Sequence, residues 1–389
     1  MRSHRCQILD NGKLEFIVMK QATYIGLDLG SFQTTAIASD GQRYSIPSAV
    51  AWPSDVFWDD VADGICQFGE HLRDSNAELD IVYPMHKSAF RFLDSSDTGL
   101  NQDEAAQARH SLRVLARHAV SEVSPMSSLP VYGVIGCPVR ASDTNRQMLL
   151  DCVKDMFTGL MIVPDPLLVA FAANLTKDAL VIDIGAGTTD ISPIVDGELK
   201  KQDCITLPMG GDWIEDALAQ EIAAKHNSLP VPQNTLREIK EVFGSLYDDG
   251  SPATVTVLDD FSDSTHDDST DADNTTHTDV NVREALSNAC RILGPSISNA
   301  LHEVLSAFDA KTVERLIANT ILTGGTTKLE GVSELVHQTL CDFGTPHFAK
   351  FNDAQIFANG ACQIAEATSL KNWVQLSELN APKELLRAA

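Results

Sequence analysis

The feature that most constrains this 389-residue chain is a segment that occurs twice. Leu27-Asp28-Leu29-Gly30-Ser31-Phe32-Gln33-Thr34 ends an apolar stretch in Asp-x-Gly and runs on into Thr35-Ala36-Ile37. About 155 residues later, Ile182-Asp183-Ile184-Gly185-Ala186-Gly187-Thr188-Thr189 does the same and runs on into Asp190-Ile191-Ser192. Each copy reads as a buried strand, a tight polar turn and a returning strand. A unit repeated at that distance signals internal duplication. The length independently predicts two to three domains at ~150 residues each.

Between the copies the pattern alternates. Strands are expected at 36–38, 43–47, 131–136, 180–185, 191–195 and 319–323 from their β-branched, apolar composition. Apolar residues at helical spacing predict helices at 101–122, 143–156, 167–174, 212–226, 235–246 and 283–308. The chain is therefore α/β. Residues 248–279 differ, with ten Asp and no Lys, Arg or Glu. Residues 255–258 are expected to form a strand, and 259–279 a mobile, solvated loop. A calcium site there lacks the spacing, the Gly and the closing Glu of an EF-hand.

Charge narrows the function. Lys and Arg total 29 against 54 Asp and Glu, a net charge of −25. That balance disfavours nucleic-acid binding and attachment to anionic lipid, both of which need a basic footprint. An anion would be bound by backbone amides or through a metal. No apolar run approaches the ~20 residues of a membrane span. Residues 1–21 lack the pattern of a signal peptide and read as a flexible lead-in, with Met19 an alternative start. Eight Cys without a C-x-x-C pair read as thiols of a reducing compartment, so the expected location is the cytoplasm.

Three glycine turns carry the chemistry. They are Gly30-Ser31-Phe32-Gln33-Thr34, Gly185-Ala186-Gly187-Thr188-Thr189 and Gly324-Gly325-Thr326-Thr327-Lys328. Glycine lets the backbone approach a ligand, and amide and hydroxyl donors hold phosphate oxygens. Asp28 and Asp183 end their strands, where a carboxylate can hold water on Mg²⁺. Any one of these turns alone is an ordinary tight turn. Their order and spacing are specific.

That constellation resembles the actin-like ATPase superfamily from about residue 22 to 367. The resemblance implies an actin-like α/β fold of two ribonuclease-H-like domains with ATP·Mg²⁺ or ADP in the cleft between them. It places domain I at 22–160, with a smaller subdomain at about 48–110. Domain II follows at 161–340, with a smaller subdomain at about 212–292, and 341–389 returns to domain I. The first two turns become phosphate loops, with Asp28 and Asp183 holding Mg²⁺ through water. Gly324, Gly325, Thr326 and Lys328 become the adenosine motif. The segments 134–138 and 359–361 resemble the two interdomain connections. Arg237, Lys240 and Glu241 lie on a segment resembling the helix that touches the nucleoside, although alone it reads as a charged, solvated face.

Flanking segments resemble the MamK branch of the bacterial actins, which organises magnetosomes. Val134-Ile135-Gly136-Cys137-Pro138-Val139-Arg140-Ala141-Ser142 and the 181–191 segment carry that likeness. It implies an ATPase forming homopolymeric cytoskeletal filaments, with adaptors on magnetosomes or other cargo, and no nucleic acid or inserted membrane segment. One departure stands out. Where this branch has a water-positioning Glu before Pro, this chain has Asp165 between Pro164 and Pro166, one methylene shorter. Asp165 is the expected catalytic carboxylate, with slow turnover. Gly210, Gly211 and Asp212 are further expected nucleotide contacts, and the alternatives are a cell-shape actin of the MreB type, a small-molecule kinase with Asp212 as its catalytic carboxylate, or a non-polymerising nucleotide-binding scaffold. The C-terminal apolar residues Trp373, Val374, Leu376, Leu379, Leu385 and Leu386 are expected to pack or meet a partner rather than anchor to a membrane.

Overall fold

A computed structural model describes residues 3–8, 14–19, 22–53, 66–69, 79–86, 89–90, 102–124, 129–226, 231–247, 253–259, 276–350 and 355–376. The chain divides into two compact units. One holds 1–179, 193–202 and 353–389, and the other 180–192 and 203–352.

The first unit is organised by a five-stranded sheet in the order Gly159–Pro164, Val131–Cys137, Thr23–Leu29, Gln33–Ala38, Arg43–Pro47. The first three strands are parallel, with Gly136 opposite Val163 and Leu27 opposite Ile135. The last two run antiparallel, with Leu27 opposite Ala36 and Thr35 opposite Ser45. Helices cover both faces, so the central strands are apolar throughout. Val134 and Ile135 are consecutive and enter different cores, as the two-residue period of a strand requires. Ile135 packs with Leu112, Ala116 and Ala119 of the helix Gln102–Val123, residues that share one helical face.

On the other face the helix Ile356–Ala367 lies backbone to backbone on its neighbours. A Cβ at Gly26 would land on the Ala358 carbonyl, and one at Gly360 on the Leu168 carbonyl of the helix Asp165–Ala172. Trp373 of the helix Leu370–Leu376 is buried and stacks on Tyr132 at 5.2 Å between ring centroids. That residue serves packing, while Leu379, Leu385 and Leu386 lie outside the described residues. A small sheet of Gln67–Phe68, Val50–Pro53 and Leu79–Val82 carries buried Trp52, whose indole N–H donates to Ser111 Oγ at 2.9 Å.

The second sheet repeats the plan of the first. Its order is Glu198–Leu199, Thr189–Val195, Ala179–Ile184, Thr320–Thr323, Phe348–Lys350. Thr320–Thr323 and Phe348–Lys350 are parallel to the central strand's direction, with Asp183 opposite Thr323 and Leu322 opposite Lys350. Ile205–Leu207 pairs antiparallel with Thr189–Val195. In each sheet, therefore, the strand that ends in Asp-x-Gly is central. It has its hairpin partner on one side and two parallel strands on the other.

Two expectations are corrected. The segment read as a lead-in contains antiparallel strands Ser3–Ile8 and Leu14–Met19. The expected loop at 259–279 is a strand at its far end, because Thr254–Asp259 pairs with Thr276–Asn281. Cross-strand pairing outweighs charge there. Val280 is buried opposite Val255, and Thr256 Oγ1 donates to Asp279 Oδ1 at 2.7 Å. Residues 260–275, including the acidic residues considered for calcium, lie outside the described residues.

Candidate functional site

In the first unit the turn 30–34 joins two adjacent strands of the sheet. Gly30 N–H donates to the Gln33 carbonyl at 3.1 Å, and a Cβ at Gly30 would come within 2.8 Å of that oxygen. Only glycine closes the turn this tightly. Ser48 braces it from behind. Its hydroxyl donates to the Gly30 carbonyl at 2.6 Å and lies 2.9 Å from Thr34 Oγ1, and its amide donates to the Phe32 carbonyl at 3.0 Å. Thr34 and Ser48 are buried, Ser31 and Gln33 are partly exposed, and the Phe32 side chain is exposed. Sequence reasoning missed Ser48. It lies fourteen residues from Thr34, beyond any turn motif.

The second turn has the same geometry. Gly185 N–H donates to the Thr188 carbonyl at 2.9 Å, at the position of the Gly30–Gln33 bond. Thr188 Oγ1 donates to Asp190 Oδ2 at 2.8 Å, and Thr206 Oγ1 holds the other oxygen of Asp190. Thr189 Oγ1 donates to the Met209 carbonyl at 2.8 Å. The chain therefore returns beside the turn at Gly210-Gly211. Gly211 N–H reaches the Gly185 carbonyl at 3.1 Å, and Asp212 N–H the Ala186 carbonyl at 2.8 Å. Gly187 adds no side chain to this cradle.

The third turn locks onto the second. Thr326 Oγ1 donates to the Gly185 carbonyl at 2.7 Å. Gly324 has φ +96°, and a Cβ there would land on the Ile184 carbonyl and on Asp183 Oδ1. Gly325 and Lys328, at the two ends of the short 3-10 helix Gly325–Lys328, are exposed.

Lys240 joins this cluster from the helix Gln233–Phe243. A Cβ at Gly211 would lie 2.6 Å from Lys240 Nζ and 3.1 Å from Thr326 Oγ1. Lys240 is buried, and its ammonium donates to Glu215 Oε1 at 2.5 Å. Glu215 is wholly buried, and also accepts from Gln233 Nε2 at 2.6 Å with Arg237 Nε at 3.6 Å. The solvated-face reading of this helix is therefore wrong for Lys240, while Glu241 is exposed. Burial, and then the charge of Glu215, push the Asp212 carboxyl above its ordinary range. Glu215 was not singled out in the sequence. An i, i+4 pattern does not reveal a carboxylate whose partner lies 25 residues away.

Asp165 opens the helix Asp165–Ala172. Its carboxylate lies against Gly136, and the Leu168 side chain closes the other side of that space. Next to Gly136, burial pushes the Cys137 thiol up to about 12, with the nearby charge of Asp165 adding to the effect. Cys137 therefore stays a neutral thiol.

A divalent cation suits the Asp28 carboxylate. Packing pushes the Asp28 carboxyl up to about 7, although part of the side chain reaches the surface. A cation would restore the charged form there. A side chain at position 30 would stand against both Asp28 oxygens, 3.9 Å from its Cβ, and glycine leaves that space free. Among the described residues no three His, Cys, Asp or Glu groups converge. No helix among the described residues is long and apolar enough to cross a membrane.

Comparison with known proteins agrees with this architecture. The chain is 25% identical over 362 residues to the actin-like protein MamK of Magnetospirillum gryphiswaldense, covering 93% of this chain and 94% of that one. It is likewise 25% identical to MamK of Paramagnetospirillum magneticum, covering 93% and 97%. Among solved structures, a MamK double helical filament superposes with a TM-score of 0.74 at 23% identity, over 90% of this chain and all of that one. MreB5 of Spiroplasma citri bound to AMPPNP gives a TM-score of 0.68 at 17% identity, over 92% and 99%. These likenesses establish the actin-like fold. The family model for MreB/Mbl proteins matches residues 97–368, and the chain belongs to that family.

Proposed function

We propose that this protein is a filament-forming bacterial actin that binds ATP·Mg²⁺ and hydrolyses it as the filament turns over. The observation that carries this reading is the pair of matched turns. Gly30 N–H to Gln33 and Gly185 N–H to Thr188 are the same bond at the same place in two equivalent sheets, each just after a strand-end Asp. The MamK and MreB structures similar to this chain include filaments and nucleotide complexes, which supports assembly and nucleotide binding here.

Phosphoryl transfer to water needs little covalent chemistry from a protein, and catalysis is mostly positioning and charge stabilisation. Ser31, Gln33 and Thr34 offer hydroxyl, amide and backbone donors from one turn, and Gly185 to Thr189 offer them from the other. Mg²⁺, held through water by Asp28 and Asp183, would neutralise phosphate charge. Gly324 to Lys328 and the helix bearing Arg237, Lys240 and Glu241 would bound the nucleoside. Lys240 does so as a neutralised pair with Glu215, and shapes the wall beside Gly211. Asp165 would orient the attacking water. Filaments would organise magnetosomes or another intracellular structure through adaptor proteins.

Asp165 supports a second reading, a scaffold that binds ATP and turns it over very slowly. Retraction by ~1 Å costs on the order of 10²-fold in a positioned reaction. Pelleting and light scattering with ATP·Mg²⁺, with AMPPNP and without nucleotide, with phosphate release followed together, separate the two. Nucleotide-dependent pelleting with phosphate release supports the first reading. Pelleting without release supports the second. Nucleotide binding without pelleting at any salt concentration overturns autonomous assembly.

A further inference from the structure

Asp165 stands between two prolines, one at the helix N-cap and one in its first turn. Proline fixes φ, so the backbone on both sides of Asp165 has little freedom. The side chain then has to find room, and the room is provided by the neighbouring strand. Gly136 and Cys137 of the strand Val131–Cys137 pair in register with Val163 and Pro164, the two residues before Asp165. A Cβ at Gly136 would land on Asp165 Oδ1, 3.6 Å from Asp165 Cγ and 3.1 Å from Leu168 Cδ1. The carboxylate thus occupies the space that any side chain at position 136 would fill. Gly136 has no positive-φ conformation that would explain a glycine. The absent side chain is the remaining reason.

The geometry points to Gly136 as a positioning residue. Its missing side chain is the seat that fixes the Asp165 carboxylate against the strand. The inference rests on the reading of Asp165 as the water-orienting carboxylate. A methyl group at 136 pushes the carboxylate off this seat by the ~1 Å that a positioned reaction does not tolerate.

The test is single-turnover phosphate release from ATP·Mg²⁺ by the full chain, with nucleotide affinity measured in parallel. The variants are Gly136→Ala, Asp165→Ala and the double substitution. Gly133→Ala, on the same strand, is the packing control, because a Cβ there meets the Phe157 ring and not Asp165. Gly136→Ala is expected to slow release on the order of 10²-fold with nucleotide affinity unchanged. It should have no further effect when Asp165 is already Ala, as coupled residues require. Gly133→Ala should lower the melting temperature without slowing release. Wild-type release by Gly136→Ala while Asp165→Ala is inactive overturns the seat and leaves the Asp165 reading intact. Wild-type release by Asp165→Ala overturns that reading and the seat with it. If Gly136→Ala does not fold, adding Asp165→Ala should recover folding by removing the nearest obstructing atom. A double variant that stays equally unfolded overturns the proposal.

Discussion

Lys240 Nζ lies 2.5 Å from Glu215 Oε1, and the carboxylate it meets is wholly buried. Twenty-five residues separate the partners, and they come from two different helices, Gly211–Lys225 and Gln233–Phe243. Removing one member of a buried pair leaves the other uncompensated, which costs on the order of 3–5 kcal/mol. Lys240→Met is therefore expected to destabilise the protein by about that much. Gln233 and Arg237 keep the loss toward the lower end, because both still face Glu215. Lys240→Met combined with Glu215→Leu should recover most of it. Chemical denaturation of the three variants checks both statements.

Ser48 ties three points of the first turn. Ser48→Ala removes two side-chain hydrogen bonds and leaves the Gly30 carbonyl and the Thr34 hydroxyl to find other partners. The expected cost is about 1–3 kcal/mol. Nucleotide affinity should fall as the turn loosens, and titration with a fluorescent ATP analogue measures it. An unchanged affinity would show that the turn holds its shape without this brace.

The adjacent glycines 324 and 325 should respond oppositely. Gly324→Ala places a Cβ on the Ile184 carbonyl at φ +96°, where side chains are strained by roughly 1–3 kcal/mol before any clash. Gly325→Ala meets nothing within 4 Å. It should be neutral or stabilise by up to about 1 kcal/mol, through a less flexible unfolded chain. Thermal melting of the two variants is the comparison.

Asp28 makes the metal-free protein sensitive to pH. Its carboxyl ionises near the ordinary 3.8 when unfolded and at about 7 when folded, because burial disfavours the charge. The folded state therefore holds an extra proton between those values. For this group, stability is complete below about pH 4, falls as pH rises toward 7 and then levels off. The shift corresponds to at most about 4 kcal/mol, less for a partly exposed carboxyl. Asp28→Asn removes this dependence. Its advantage in melting temperature without Mg²⁺ or nucleotide should be negligible near pH 4 and fully developed by about pH 8. An advantage that is equal at both ends would assign the effect to packing.

Much of this architecture is legible in the sequence for local reasons. The Asp-x-Gly turns announce themselves because strand alternation, a tight turn and its glycine are all decided within about ten residues. The helices Gln102–Val123 and Arg283–Ser306 are long and strongly periodic, and appear within two residues of their expected ends. The strand Gly159–Pro164 and the helix Ile356–Ala367 were not anticipated. The strand is buried and apolar at every position, so it shows no alternation.

The sequence by itself determined the duplication, the two strand-end carboxylates and the glycines that close the turns. Each of these depends on neighbours along the chain. Tertiary structure alone decided that Ser48 braces one turn, that Thr326 locks another, that Lys240 is spent on a buried Glu215, and that Gly136 makes room for Asp165. In each case the partners lie between 14 and 141 residues apart. A contact at that separation exists only once two sheets and their helices have packed, and no periodicity along the chain encodes which atom will meet which.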